Sequence, residues 1–293
     1  MERGPGGEVC ADASAFTLVE IIVSISLLTF IMIGLMATFN QVQRSFKSSV
    51  SLSDVLEPGR AVVDMMTRDL EQMTPAQLPP NYTPYPCFNF WTQLSPSFPP
   101  TPMTLVAVLP PSPSRTNVVE DIFFMSRINQ DWAGTGYTVS NVVGGAGTLY
   151  RYYRQIPKLN QMSSAIPTNN PASLFGTFIS ALPNPAASMG RIADGVVHLQ
   201  VRAFDTRGNL ISSSWSNFVA SPNAAGQPDY SFYNNAVPAY LELEVGMLEP
   251  QILDRAKGTA DPKAFLANNA AAHVHIFRQR IPIRNVDPSV YPY

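Results

Sequence analysis

The chain contains few of the residues from which disulfide frameworks and catalytic or metal sites are built. Its 293 residues include two cysteines, Cys10 and Cys87, and three histidines. If Cys10 is removed with an N-terminal leader, one thiol remains and no internal disulfide can form, so core packing must hold the fold. Charged residues make up 14% and the net charge is −2, which gives no bulk attraction for nucleic acid or an anionic membrane surface.

The residues that could carry chemistry are scattered along the chain. His273 and His275 are two apart in a predicted strand and would share one face, but a zinc site needs a third ligand such as His198, Asp or Glu. Asp254 and Asp261 are too sparse for a calcium loop. Cys87 lies in no motif for a nucleophile, and no nucleophile elbow or phosphate-binding loop occurs. We therefore expect no catalytic residue, no metal and no cofactor, and a protein that is not an enzyme.

A long apolar segment lies near the N-terminus. Residues 21–39 carry no charge, and a helix over 16–39 would be roughly 36 Å long, enough to cross a hydrocarbon core of about 30 Å. A buried core helix and a secretory signal peptide are the alternatives. A signal peptide has small residues after its apolar run, but here they come before it: Ala11, Ala13, Ser14 and Ala15. This order predicts a cut that removes a hydrophilic leader (1–15) and leaves the apolar helix as the new N-terminus.

One acid, Glu20, interrupts the start of this apolar helix. An ionised carboxylate at the centre of a bilayer costs about 2.5–3.5 kcal/mol, so even a shallower one calls for a partner. Cleavage after Ala15 would provide one, because the new α-amino group of Phe16 lies four residues earlier on the same helix, or on a neighbouring chain. Glu20 would then fix the register of lateral helix packing. The alternative is an acid that is simply tolerated at the membrane interface.

The stretch Ala15-Phe16-Thr17-Leu18-Val19-Glu20 resembles the processing site of type IV prepilins and type II secretion pseudopilins. The resemblance implies that a prepilin peptidase cuts between Ala15 and Phe16 and N-methylates Phe16, and that Glu20 guides assembly. Where this family usually has glycine before the cut, the chain has Ala15.

The apolar helix is predicted to continue over residues 40–74 as an amphipathic helix that packs on a sheet or, alternatively, on a coiled-coil partner. Its apolar stripe has spacings of three and four: Leu52, Leu56, Gly59, Val63, Met66, Leu70 and Met73. Pro58 is expected to kink or interrupt it, and Thr74-Pro75 to end it. Residues 75–118 are rich in proline and aromatic residues, which predicts an ordered loop segment without helix or central strand.

Residues 119–293 are predicted to form a β-rich domain. The predicted elements are strands at 121–127, 149–154, 240–247 and 273–281, a hairpin of 196–204 with 209–215, a glycine turn at 144–147 and short helices within 249–272. A strand carrying Tyr150, Arg151, Tyr152 and Arg154 could instead bind single-stranded nucleic acid by stacking. No basic excess surrounds it, so a half-exposed amphipathic strand is favoured.

The globular part has a looser resemblance to J-type minor pseudopilins, carried by 68–73, by Phe204-Asp205 with Trp215, and by 238–243. The resemblance implies an α+β fold with a long transmembrane helix and an antiparallel pilin-like domain. It implies a single-pass inner-membrane protein with a periplasmic C-terminal domain, assembled at or near the tip of a pseudopilus. The implied partners are other major and minor pseudopilins, a prepilin peptidase and an inner-membrane assembly platform, with no nucleic acid. The alternatives are a minor pilin of a type IV pilus or DNA-uptake system and a signal-anchored periplasmic enzyme.

Overall fold

A computed structural model describes residues 17–78, 86–97, 104–105, 115–156, 171–269 and 273–291. The chain divides into two compact units, Met1–Val50 and Ser51–Tyr293. Helix α1 (Leu18–Glu71) contributes residues to both units, and it continues through Pro58 without a break. It ends three residues before the predicted end at Thr74.

The C-terminal unit is built on a nine-stranded sheet in which all described neighbours are antiparallel, so the α+β prediction is confirmed. Its strands are β1 (Phe90–Leu94), β4 (Glu120–Ile128), β5 (Asp131–Val143), β6 (Ala146–Ile156), β7 (Gly190–Phe204), β8 (Phe218–Pro222), β9 (Pro228–Phe232), β10 (Tyr240–Leu248) and β11 (Val274–Pro282). They lie side by side in the order β11-β10-β7-β6-β5-β4-β1-β9-β8. Strands β2 (Thr104–Leu105) and β3 (Arg115–Thr116) form a separate pair.

The last turns of α1 cover one face of this sheet, as the apolar stripe predicts. Val63, Met66 and Leu70 are buried in one core cluster with Leu241 and Leu243 of β10. Gly59 allows a close approach, because a Cβ at this position would lie 2.2 Å from the ring of Phe277 on β11. The stripe residues nearer the N-terminus are more exposed, so sheet packing begins about one turn before Gly59.

Helix α2 (Ala172–Ala181) covers the opposite face and was not predicted. Phe175 packs edge-on against Phe123 with ring centroids 5.3 Å apart, and Phe178 contacts the same ring. Gly136 on β5 makes room for this packing, since a Cβ there would lie 2.5 Å from Phe178. Smaller helices α3 (Pro185–Ser188), α4 (Pro250–Lys257) and α5 (Pro262–Asn269) also pack in this unit, and α4 and α5 confirm the prediction of one or two short helices within 249–272.

Two sequence-based expectations are wrong. Residues 90–94, predicted as loop, form β1, which lies between β4 and β9. Proline removes a ladder hydrogen bond only where it stands, and residues 87–95 contain none. Residues 209–215 do not form the predicted return strand: the turn at Asp205 is present, but only Leu210 bridges back to Phe204, and β10 pairs with β7 instead.

Candidate functional site

Reciprocal hydrogen bonds between Thr17 and Glu20 cap the N-terminus of α1. The Thr17 amide and hydroxyl donate to Glu20 Oε2 at 3.1 and 3.0 Å, and the Glu20 amide donates to Thr17 Oγ1 at 3.4 Å. This is a capping box, which satisfies backbone N–H groups that a helix start leaves free. The Thr-x-x-Glu spacing of a capping box is present in the sequence at Thr17 and Glu20, but the sequence analysis did not predict the cap. Ala15 and Phe16, the predicted cleavage residues, lie outside the described residues.

Apolar side chains surround α1 on every side within the N-terminal unit. Its 18-residue window of highest hydropathy has a mean of 2.5, and none of that window is buried. By length and composition this helix can cross a membrane. The exposed large apolar side chains over residues 18–39 are Leu18, Val19, Ile21, Ile22, Val23, Ile25, Leu27, Leu28, Phe30, Ile31, Met32, Ile33, Leu35, Met36 and Phe39.

Three hydroxyl groups within this apolar stretch bond to the helix itself. Ser26 donates to the carbonyl of Val23, and Thr29 to that of Ile25, each at 2.8 Å. Thr38 does the same one turn back at 2.8 Å. Polar groups satisfied within their own helix can enter hydrocarbon without the cost of an unmade hydrogen bond. The three hydroxyls are therefore compatible with an apolar surrounding.

An ion pair ties the end of α1 to the sheet. Arg151 on β6 contacts both carboxylate oxygens of Asp69, Nε to Oδ2 at 2.7 Å and Nη2 to Oδ1 at 3.1 Å. The hydroxyl of Tyr137 donates to the same carboxylate at 2.5 Å, and burial raises the pKa of Tyr137 far above its ordinary value. A bidentate arginine–carboxylate pair has a fixed geometry, so it sets the position of the last helical turns on β5 and β6.

The strand proposed for nucleic-acid stacking does not offer the expected surface. Tyr150 and Tyr152 are buried, and Tyr152 hydrogen-bonds to Thr177 of α2. Arg151 is held by Asp69, which leaves Tyr153 as the exposed ring of that strand. A base needs an open aromatic face, so this arrangement gives the nucleic-acid alternative no support.

The three histidines are placed in two locations. His273 and His275 each approach a different oxygen of Glu249, at 3.1 and 3.3 Å. His198 is buried, where its Nδ1 accepts the Val118 amide at 3.0 Å. Glu249 thus acts as a shared hydrogen-bond partner, and the described residues contain no group of three or more His, Cys, Asp or Glu placed to hold a metal ion.

Other candidates also have structural roles in the described residues. Burial raises the pKa of the Cys87 thiol to about 12, so thiolate is scarce at neutral pH. Asp261 Oδ1 accepts the Ala264 amide at 3.0 Å at the start of α5, and Asp254 lies 3.5 Å from Lys257. Each of these contacts is of a kind that stabilises a fold.

The buried carboxyl group of Glu120, which the sequence analysis did not predict, lies beside the part of β7 that no longer pairs with β6. Beyond Val196, the edge of β7 meets residues 118–120: the Leu199 amide donates to Val118 O at 2.8 Å, and the Val201 amide to Glu120 Oε2 at 2.9 Å. Glu120 thus replaces a strand carbonyl. Burial raises the pKa of Glu120 to about 8, and burial of the neighbouring Asp121 raises the pKa of that residue to about 6. Nothing in the local sequence pattern marks these acids as buried.

Comparison with known proteins adds no relative. No protein-family model matches this chain, and no curated protein sequence matches it significantly.

Proposed function

We propose that this protein is a minor pseudopilin, a non-enzymatic subunit of a type II secretion pseudopilus. It is held in the inner membrane by the apolar part of α1, with its sheet domain in the periplasm. A prepilin peptidase cleaves it between Ala15 and Phe16 and methylates the new N-terminus. The observation that carries this proposal is an exposed apolar helix that begins just after a prepilin-like cleavage sequence, holds Glu20 in its first turn and is uncharged over residues 21–39.

The capping box supports the proposed role of Glu20. Its carboxylate already accepts the Thr17 amide at 3.1 Å, and Phe16 directly precedes Thr17 in the chain. The amine created by cleavage would therefore be one residue from an N–H that this carboxylate binds. An amine and a carboxylate attract strongly where water is scarce, either within one chain or between neighbouring chains.

The same features suggest how the subunit enters a filament. The apolar helix is stored in the bilayer, and assembly moves it into a bundle of equivalent helices contributed by other major and minor pseudopilins. The assembly platform in the inner membrane performs this transfer. Packing of the apolar side chains stabilises the bundle, and pairing of Glu20 with an N-terminal amine fixes the vertical register.

A pair of substitutions at Glu20 separates capping from charge. Glutamine also serves at this position of a capping box, so Glu20→Gln keeps the cap and removes the charge, whereas Glu20→Ala removes both. We expect both variants to insert in the membrane and both to be incorporated poorly into pseudopili, measured by co-purification with the other subunits. Incorporation of Glu20→Gln at the level of the parent would overturn the charge-pairing role.

The processing step is tested by mass spectrometry of the protein purified from its native cells. The proposal expects an N-terminus at N-methyl-Phe16. Retention of Met1 would contradict processing and would favour a signal-anchored protein. The matched control is a strain without prepilin peptidase, in which the leader should stay attached.

A further inference from the structure

Strand β11 forms one edge of the large sheet. Among the described residues it pairs only with β10, through nine residue pairs. Val274 lies opposite Leu248 at one end of this ladder, and Pro282 lies opposite Tyr240 at the other. In an antiparallel sheet about every second residue directs its N–H and C=O away from a given neighbour. The outer side of β11 therefore offers a row of backbone donors and acceptors, and Arg278 and Arg280 beside it are exposed.

Charge alternates from strand to strand on the face opposite α1. Arg202 of β7 contacts both Glu242 and Glu244 of β10, the latter at 2.5 Å between Nη2 and Oε1. Arg278 of β11 contacts Glu244 in turn. Arg280 lies opposite Glu242 in the register and stacks over the ring of Tyr240. The side chains on this face are therefore basic on β7, acidic on β10 and basic on β11, which is the last strand of the sheet.

A second copy of this edge meets like charges in the registers where the arginines of the two strands overlap. Antiparallel self-pairing centred on Gln279 would place Arg278 opposite Arg280, and centring on Arg278 would place that residue opposite itself. Like charges directly across two strands are destabilising. The other face of β11 is closed, because Phe277 lies against Gly59 of α1. A partner can therefore pair along the outer edge of the strand, and the exposed Arg278 and Arg280 favour a partner that carries carboxylates.

We propose that the outer edge of β11 binds an extended acidic segment of another protein as a tenth strand of the sheet. The backbone of that segment bonds to the free edge, and carboxylates at alternate positions pair with Arg278 and Arg280. Main-chain bonds supply affinity in such strand addition, and alternate side chains supply specificity. Pro282, which lacks an N–H, ends the docking edge. The inference rests on the sheet alone and not on the proposed filament role.

The test measures binding of a synthetic peptide to the full-length protein in detergent. The peptide has eight residues, alternating glutamate with valine or threonine, and a matched peptide carries lysine in place of glutamate. We expect the acidic peptide to bind, with an affinity that falls as salt is added, and to protect β11 amides from hydrogen exchange. Equal binding of the two peptides, or none by the acidic peptide at its solubility limit, would overturn the proposal.

Two controls separate strand addition from loose charge attraction. The first is the acidic peptide N-methylated at every backbone nitrogen, so that neither of its edges can donate a hydrogen bond, and we expect it not to bind; if it binds like the parent, the edge is not used. The second compares Arg280→Glu with Arg127→Glu, because Arg127 is also an arginine stacked over a ring, that of Trp132 on a distant strand. We expect Arg280→Glu to raise Kd about tenfold and Arg127→Glu to leave it unchanged, with unfolding curves of both variants checking the fold. Equal effects of the two substitutions would contradict a β11 site.

Discussion

The two parts of helix α1 use apolar side chains in opposite ways. In the N-terminal unit these side chains point in every direction and stay exposed, as with Leu28, which is 61% accessible. In the C-terminal unit they form one stripe, which is buried against the sheet from Val63 onward and completely so at Met66. A helix that is apolar all round lacks a polar side for water, whereas a striped helix has a wet side and a dry side.

This difference shows that the two parts require different surroundings. The stripe finds its cover within the same chain, because the β10 and β11 side chains fill the space beneath it. The all-round apolar part finds no cover among the described residues, and a bilayer or other apolar helices would supply it. The acidic side chains of the two units also differ in environment. Glu20 is exposed and hydrogen-bonds within its own helical turn, whereas Glu120 is buried in the sheet domain.

The largest effect is expected from truncating the stripe. Met66→Ala should lower the free energy of unfolding of the sheet domain by roughly 2–5 kcal/mol, because it removes buried methylenes and leaves a cavity. The matched substitution Leu28→Ala should leave that free energy unchanged. Urea unfolding of the full chain in detergent, followed by tryptophan fluorescence, measures both. Equal losses for the two variants would break the comparison.

The second prediction concerns pH. Folding raises the pKa of Glu120 from 4.5 to about 8, so between these pH values the folded protein holds a proton that the unfolded chain releases. The contribution of Glu120 to stability is therefore greatest below about pH 4.5, falls as the pH rises through about 8, and is lost above it. Glu120→Gln cannot ionise and keeps an oxygen for the Val201 amide. We expect it to be more stable than the parent at pH 9 by roughly 2–4 kcal/mol.

The control for this pH effect is Glu20→Gln, which makes the same chemical change outside the sheet. Thermal unfolding of both variants and the parent from pH 5 to pH 9 makes the comparison. Relative to the parent and to Glu20→Gln, Glu120→Gln should gain stability as the pH rises from 5 to about 8 and keep that advantage at pH 9. A Glu120→Gln protein that follows the pH dependence of the parent would show that Glu120 is ionised in the folded state.

The smallest effect is expected at the helix cap. Thr17→Ala removes the hydroxyl that accepts the Glu20 amide, which should weaken the first turn by about 1 kcal/mol without affecting the sheet domain. Hydrogen exchange at the Glu20 amide should accelerate several-fold. Thr29→Ala is the matched control, because its hydroxyl bonds within the helix interior. Faster exchange at Glu20 in both variants would argue against a local cap.

Periodicity explains which elements could be predicted. The stripe on α1 and the alternation of Leu241, Leu243 and Val245 on β10 record burial on one side, so both elements are visible in the sequence. Helix α2 was missed because Ala172–Ala181 is short, and its polar side consists of three small residues, Ser173, Thr177 and Ser180, which contrast weakly with the apolar side. β1 was missed because flanking prolines dominate the composition of its segment, although proline acts only at its own position.

The candidate site divides in the same way. The apolar run and Glu20 are local features, so sequence reasoning could find them and assign them a prediction. Contacts such as Asp69 with Arg151, or Glu120 with Val201, join residues about 80 positions apart. They depend on the order of strands in the sheet, which local patterns do not record. The same reason explains why Tyr152, which alternation places on a half-exposed strand, is covered by α2.

The hydroxyls of Ser26, Thr29 and Thr38 have a consequence for any helix that packs beside them. Each is already committed to a carbonyl of its own backbone, so a neighbour meets no free hydroxyl at these three positions. Contact there is decided by the shapes of aliphatic side chains, which tolerate rotation and exchange of one neighbour for another. Specific alignment then has to come from the ends of the stretch, where charge is available.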